Sequence, residues 1–312
     1  RGTTMCTLNA AHFQNDDKAR EYLERLRWPE GQVCPHCGVI GKHYQLEGKS
    51  HRAGLWKCKD CREQFSVTVG TVFERSKIPL SKWLMAVYLL CSSKKGMSSH
   101  QLHRMLGITY KSAWFMTHRI REAMKTNPRG LLGSGGGTVE ADETFWLNSK
   151  RSKKGRAYKG RGFKHKEKIV SLVERNGQVR SFHVPQVNAA NLRPILKANM
   201  AADAHLMTDD YSAYFLLGKE FASHSVVKHS KKEYVRGKAH TNTVEGYFSL
   251  LKRGLIGTYH HVGAQHLQRY VSEFDFRYNN RSITDLERSA NALKNIEGKR
   301  LTYRRINGAA QG

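Results

Sequence analysis

The chain has 312 residues, enough for about two domains, each with its own core. Lys and Arg number 53 against 26 Asp and Glu, and a net charge of +27 is the electrostatic footprint of a protein that meets a polyanion. No apolar run approaches the roughly 18 residues of a membrane span, and no signal-peptide core is visible, so the expectation is a soluble intracellular protein whose partner is nucleic acid.

Asn15-Asp16-Asp17 opens a predicted helix over residues 15–27, with Ala19, Tyr22, Leu23 and Leu26 on one stripe. Four of the six cysteines follow as Cys34-Pro-His-Cys37 and Cys58-Lys-Asp-Cys61, two C-x2-C knuckles separated by 20 residues. That spacing is the pattern of a zinc ribbon: four thiolates complete a tetrahedral site with no open position, so the zinc is structural rather than catalytic. Gly38 supplies the conformational freedom that the first knuckle needs. A hairpin is expected over residues 43–57 and a strand over 64–69, and Cys91 reads as a small core residue.

Pro79–Cys91 is a predicted helix with Trp83, Val87 and Leu90 on one side. Ser98 to Leu106, Gly107, then Thr109-capped Tyr110–Met124 is the sequence form of a helix-turn-helix. In its second helix Ala113, Met116, Ile120 and Met124 make the buried stripe, while Lys111, Ser112, His118, Arg119 and Arg121 are expected to face out toward phosphates or base edges. An ordinary helical hairpin has the same sequence form. Residues 127–130 and the Gly133–Gly137 run are read as a linker and domain boundary.

Beyond it comes a strand, Thr138–Trp146, then residues 150–168 with ten Lys or Arg and the single acid Glu167. Lys153, Lys154, Arg156, Lys159 and Arg161 of this loop are expected to contact a phosphate backbone. Strands at 169–173 and 179–184, a helix at 189–200, a strand ending in Asp209-Asp210 and a short strand at 225–227 follow. Two late helices close the series: one beginning near His240, with Val244, Phe248, Leu251 and Leu255 as its apolar stripe, and one over 264–279. The tail from Lys294 is basic and poor in apolar residues, and is expected to be loose.

Acids on the first and fourth strands and on a late helix have a chemical meaning. In-line attack on a phosphodiester is served by two divalent cations roughly 4 Å apart, held by carboxylates from distant parts of the chain. Asp142, Asp209 and Glu245 suit that task, and Lys252, two helical turns beyond Glu245, would place a point charge on the phosphate. Asn242-x-x-Glu245 is equally a capping-box pattern, Glu140 shares strand parity with Asp142, and Glu143 and Asp210 are close neighbours, so these alternatives stay open at this level.

These motifs together resemble the DDE transposases of bacterial insertion sequences, the ISXO-like group related to the Merlin elements. The resemblance rests on the two cysteine knuckles, Val139-Glu140-Ala141-Asp142-Glu143, Thr208 to Tyr214, and His240 to Gly254. Gly257 to His261 and His266 to Arg281 extend it. It implies an α/β, ribonuclease-H-like catalytic domain, a mixed five-stranded sheet with flanking helices, preceded by a small zinc ribbon and a helix-turn-helix. The expected divisions are 1–72, 73–130, 131–290 and a basic tail, 291–312. It implies that Asp142, Asp209 and Glu245 hold two Mg²⁺ or Mn²⁺ ions, that Lys252 contacts the phosphate, and that Asn242 and Arg253 lie against DNA. The activity implied is cleavage at terminal inverted repeats and joining of the 3′ ends to target DNA by a homodimer on paired ends, in the bacterial cytoplasm at the nucleoid. A transposase-derived DNA-binding protein without cleavage activity, and a nuclease acting on hybrids, are the rival readings.

Overall fold

The computed structural model describes residues 7–125, 130–146 and 166–302. The chain divides into two compact units, residues up to 125 with those from 283 onward, and residues 126–282.

In the first unit, helices α1 (Ala11–Gln14) and α2 (Asp16–Arg27) precede a three-stranded antiparallel sheet of β1 (His43–Gln45), β2 (Trp56–Cys58) and β3 (Gln64–Phe65). Asn15 caps α2 as its position suggests, accepting the N–H groups of Asp17 and Lys18 at 2.8 and 3.0 Å. The strand expected over 64–69 stops at Phe65, because Ser66 to Thr71 fold into turns closed by Val69 N–H on Ser66 O and by the Thr71 hydroxyl on Thr68 O. Helices α3 (Leu80–Ser92), α4 (Ser99–Leu106) and α5 (Tyr110–Met124) follow. Ser98 caps α4, Gly107 ends it in the left-handed region at φ +58°, and Thr109 caps α5, as the sequence led one to expect.

The last helix among the described residues, Asp285–Lys294, also belongs here, with a full capping box at Thr284 and Glu287, and packs on α2, α3 and α5. Residues 296–298 after it were expected to be loose but are docked. Ile296 is fully buried, its carbonyl accepts Val72 N–H, and Glu297 pairs with Arg27 at 3.4 Å. One buried apolar residue and a backbone bridge suffice to hold a segment whose composition reads as unstructured.

The second unit is built on one mixed sheet of β4 (Thr138–Trp146), β5 (Glu167–Glu174), β6 (Val179–Val184), β7 (His205–Asp209) and β8 (Ser223–Val227), in the order β6-β5-β4-β7-β8. β5 pairs antiparallel with β4 on one side and with β6 on the other, and β7 and β8 run parallel to β4. Helices α6 (Ala189–Asn199) and α7 (Ala213–Leu217) cover the face of Val139, Ala141, Val170 and Leu172. A small hairpin, β9 (Val235–Arg236) and β10 (Ala239–His240), leads into α8 (Asn242–Gly254) and α9 (Ala264–Asn279). These last helices cover the other face, where Trp146, Ile169 and Val173 meet Val244, Phe248, Leu251 and Phe274. Burying that α8 stripe contributes about 1.5–3 kcal/mol per large side chain.

The glycine run 133–137 is no open linker. Gly133 N–H donates to Glu174 at 2.8 Å, and Gly135 and Gly136 N–H groups converge on one Asp203 oxygen. Gly133 is at φ +74°, and a β-carbon there would come within 2.5 Å of Ala204, so glycine is required by the close approach as well as by the turn.

Candidate active site

Asp142 lies on the face of β4 that looks toward α8, and the parallel register that pairs Glu140 with Met207 brings Asp142 level with Asp209 two residues further on. Glu245 enters from the first turn of α8. Asp142 lies within electrostatic reach of both other acids. Burial pushes the Asp142 carboxyl up to about 8, and the negative charges of Glu143, Asp209 and Glu245 add to it. Burial also raises Asp209, opposed by the N–H of Tyr211 (3.1 Å) and by the charge of His229. The three carboxylates do not close into one tight cluster: among the described residues, the four cysteines alone bring three or more ligand atoms within 4.8 Å of one another. Carboxylates from β4, β7 and α8 gathered around one partly buried position are a donor set that suits hard divalent cations such as Mg²⁺ or Mn²⁺.

Two further residues belong to this cluster. Glu143 points to the opposite face from Asp142, yet its carboxylate accepts the hydroxyl of buried Tyr214 at 3.3 Å and is raised to about 7 by burial and then by Asp209. The sequence marks Glu143 as a neighbour, and strand parity alone would turn it away from the site. His229 was not singled out by any motif; its Nε2 stands 3.7 Å from Glu245 Oε1, and Thr241 donates its hydroxyl to the same oxygen at 3.1 Å. Asp210 turns aside to accept the Ser230 hydroxyl, which lowers its carboxyl. Lys252 is exposed two turns along α8 on the side of Glu245, with Asn242 and Arg253 also exposed.

Glu140 is the acid that could be mistaken for a ligand, and it has another task. It is fully buried. One oxygen accepts the N–H groups of Thr243 and Val244 at 2.8 and 3.1 Å, and the other accepts the Thr243 hydroxyl at 2.9 Å and Arg175 Nε at 2.6 Å. His240 Nδ1 is 3.2 Å away. Glu140 therefore caps α8 from across the sheet, satisfying amides that the helix's own Thr241 leaves open. The capping box suggested by Asn242-x-x-Glu245 does not form, which leaves the Glu245 carboxylate free of the backbone and available to the site. Further along, Tyr247 donates its hydroxyl to buried Asp275 at 2.5 Å, and Asp275 also accepts from Ser181, so α8, α9 and β6 are locked together beneath Glu245.

In the first unit the two knuckles meet. Cys34 Sγ is 3.6 Å from Cys61 Sγ and Cys37 Sγ is 3.7 Å from Cys58 Sγ. Four sulfurs about 2.3 Å from a central zinc stand roughly 3.8 Å apart, whereas a disulfide needs about 2 Å, so the cluster suits a structural zinc. Gly38 takes φ +78° in the first knuckle, and Arg62, a non-glycine at φ +62°, takes the corresponding place in the second.

Comparison with known proteins finds two family matches. Residues 134–279 match the ISXO2-like transposase domain, and residues 14–64 match the transposase zinc-ribbon domain. The chain carries an ISXO2-like transposase domain behind a transposase zinc ribbon. It is 29% identical to a protein in the transposable element ISH50 of Halobacterium salinarum over 278 residues, 85% of this chain and 91% of that relative. Over 100 residues, 32% of this chain and 80% of the relative, it is 27% identical to a transposase-like protein of Haemophilus influenzae. The transposase domain holds Asp142, Asp209, Glu245 and Lys252, and the ribbon domain holds all four zinc-type cysteines.

The DNA-facing residues expected on α5 divide. Lys111 is exposed and Ser112 partly so, at the helix start. His118, Arg119 and Arg121 are buried and do not face out. Arg119 lies 5.2 Å from the ring of Trp83, donates to the Glu74 carbonyl at 2.7 Å, and has its pKa lowered to about 10 by burial. Arg121 donates to Thr117 at 3.1 Å, and His118 packs on Trp114 at 4.3 Å. Arg119 is covered by Glu74 and by Trp83 of α3, contacts that the sequence of α5 gives no means to foresee. Lys153, Lys154, Arg156, Lys159 and Arg161 lie outside the described residues. No helix among the described residues is long and apolar enough to cross a membrane.

Proposed function

We propose that this transposase binds the terminal inverted repeats of its element, cuts the DNA ends by hydrolysis and joins the freed 3′ ends to target DNA by transesterification. The observation that carries the proposal is the convergence of Asp142, Asp209 and Glu245 from β4, β7 and α8, close enough that each of the other two raises the Asp142 carboxyl. Those three would hold two Mg²⁺ or Mn²⁺ ions. When bound, such ions supply the positive charge that activates the attacking oxygen and steadies the leaving one.

The chain's own residues then orient the reactants. Lys252 is assigned as a point charge on the scissile phosphate, on the same side of α8 as Glu245. Thr241 and His229 fix the Glu245 carboxylate from two directions, and Glu140 sets the helix that bears it. In cutting, water attacks phosphorus and a 3′ oxygen leaves. In joining, that 3′ hydroxyl attacks a target phosphodiester, so one ester bond replaces another. The sheet order, with three antiparallel strands followed by two parallel ones, supports a ribonuclease-H-like assignment. The start of α5, with Lys111 and Ser112, and the basic ribbon are proposed to read the repeat, and two copies of the chain to pair the two ends.

The test is cleavage and joining of a labelled terminal-repeat duplex with Mg²⁺ or Mn²⁺, for wild type, Asp142→Asn and Glu245→Gln. Loss of both reactions in each variant, with end binding retained, is the expected result. Salt-dependent binding by wild type without cleavage under either metal would make the chain a DNA-binding protein instead. A single copy of the chain on paired ends in mass photometry would refute the dimer.

A further inference from the structure

The segment between β8 and α8 reaches Glu245 through His229 and Thr241, and it also carries an exposed aromatic side chain. Lys228, Lys231, Lys232 and Lys238 are all exposed, and the single acid of the stretch, Glu233, folds back to accept the Lys228 N–H at 3.3 Å. Arg236 anchors the hairpin by donating to Val226 O of β8 at 2.8 Å, and the chain turns at Gly237 (φ +59°). Tyr234 and Val235 at its end are 57% and 53% exposed. The Tyr234 ring stands 5.2 Å from the His229 ring, which in turn stands 3.7 Å from Glu245. An exposed aromatic thus sits two side-chain contacts from an active-site acid, inside a patch of lysines.

We propose that this segment clamps a nucleotide flanking the scissile phosphate: Tyr234 stacks on an unpaired base while the lysines hold phosphates of the same strand. The proposal rests on the active-site reading above. Stacked aromatics beside cations are the general means of holding single-stranded nucleic acid, because every base has a π-face. The site itself gives a reason for one here. Asp142 is partly buried on β4, so drawing a phosphate in beside it favours opening the flanking pair, a cost offset by stacking the released base on protein.

Cleavage of two end substrates tests it in the full-length protein, one fully paired and one mismatched beside the cut, using wild type, Tyr234→Ala and Tyr234→Phe. One lost base stack predicts that Tyr234→Ala slows cutting of paired ends roughly 5- to 150-fold. Tyr234→Phe should stay near wild type, and the mismatch should restore most of the rate to Tyr234→Ala. Because the side chain is exposed, thermal melting should not change. A wild-type rate for Tyr234→Ala on paired ends, or equal slowing on both substrates, would overturn the clamp alone. Wild type that cuts neither substrate would remove the active-site reading, and the clamp with it.

Discussion

Replacing Glu140 tests whether the catalytic helix is held from across the sheet. Glu140→Ala strips the cap from Thr243 and Val244 and leaves Arg175, whose side chain is only 21% exposed, without its carboxylate. Loss of a helix cap costs about 1 kcal/mol, and removing one partner of a buried ion pair costs about 3–5 kcal/mol. Arg175 keeps two other acceptors, the carbonyls of Lys238 and His240 at 2.9 and 3.0 Å, which moves the expectation to the lower end, about 3 kcal/mol. For a unit of this size that is roughly 6–12 °C in melting temperature. Glu140→Gln, which keeps an acceptor oxygen but not the charge, should lose about half as much. Urea unfolding followed by circular dichroism gives the free energy. End cleavage titrated with Mn²⁺ gives the second readout: a helix that has shifted should need more metal, and higher metal should recover part of the rate. A loss under about 1 kcal/mol in Glu140→Ala, with an unchanged Mn²⁺ requirement, would refute the argument.

Three other outcomes follow from the same geometry. One zinc per chain should be released by Cys58→Ser, with loss of ribbon structure, as measured by a colorimetric zinc assay and proteolysis of residues 30–65. Metal-free protein should become less stable as pH rises. Above the ordinary value of 3.8 an unfolded Asp142 ionises while the folded one keeps its proton until about 8, and Glu143 behaves alike between 4.5 and about 7. Melting temperature should therefore fall between about pH 4 and 8, Asp142→Asn should flatten the slope, and Mg²⁺ should restore stability most at the alkaline end; a flat profile without metal would contradict the site. Arg119→Ala should destabilise the first unit by about 2–4 kcal/mol, because a buried cation leaves its aromatic partners and the Glu74 carbonyl. Lys111→Ala, at an exposed position, should instead change stability by less than about 1 kcal/mol and reduce the salt slope of DNA binding by about 1; the reverse pattern would restore the outward-facing reading of Arg119.

What was legible in the sequence is what short-range chemistry dictates. The cysteine spacing gave the ribbon, because two knuckles carry their geometry locally. The caps at Asn15, Ser98 and Thr109 gave helix starts, and the period of Val244, Phe248, Leu251 and Leu255 gave the buried face of α8. The acids Asp142, Asp209 and Glu245 were visible as candidates, but so were Glu140 and Glu143. Tertiary structure separated them. Only when α8 lies across β4 does Glu140 become a cap, and only with Tyr214 beside it does Glu143 join the charged cluster. His229 reached the site through a turn that no periodic pattern marks. The buried arginine of α5 and the docked residues after Lys294 were misread for one physical reason. Each meets partners outside its own element, Glu74 and Trp83 for Arg119 and the 70–72 segment for Ile296, and local composition reports whether a residue prefers water, not whether another segment excludes it.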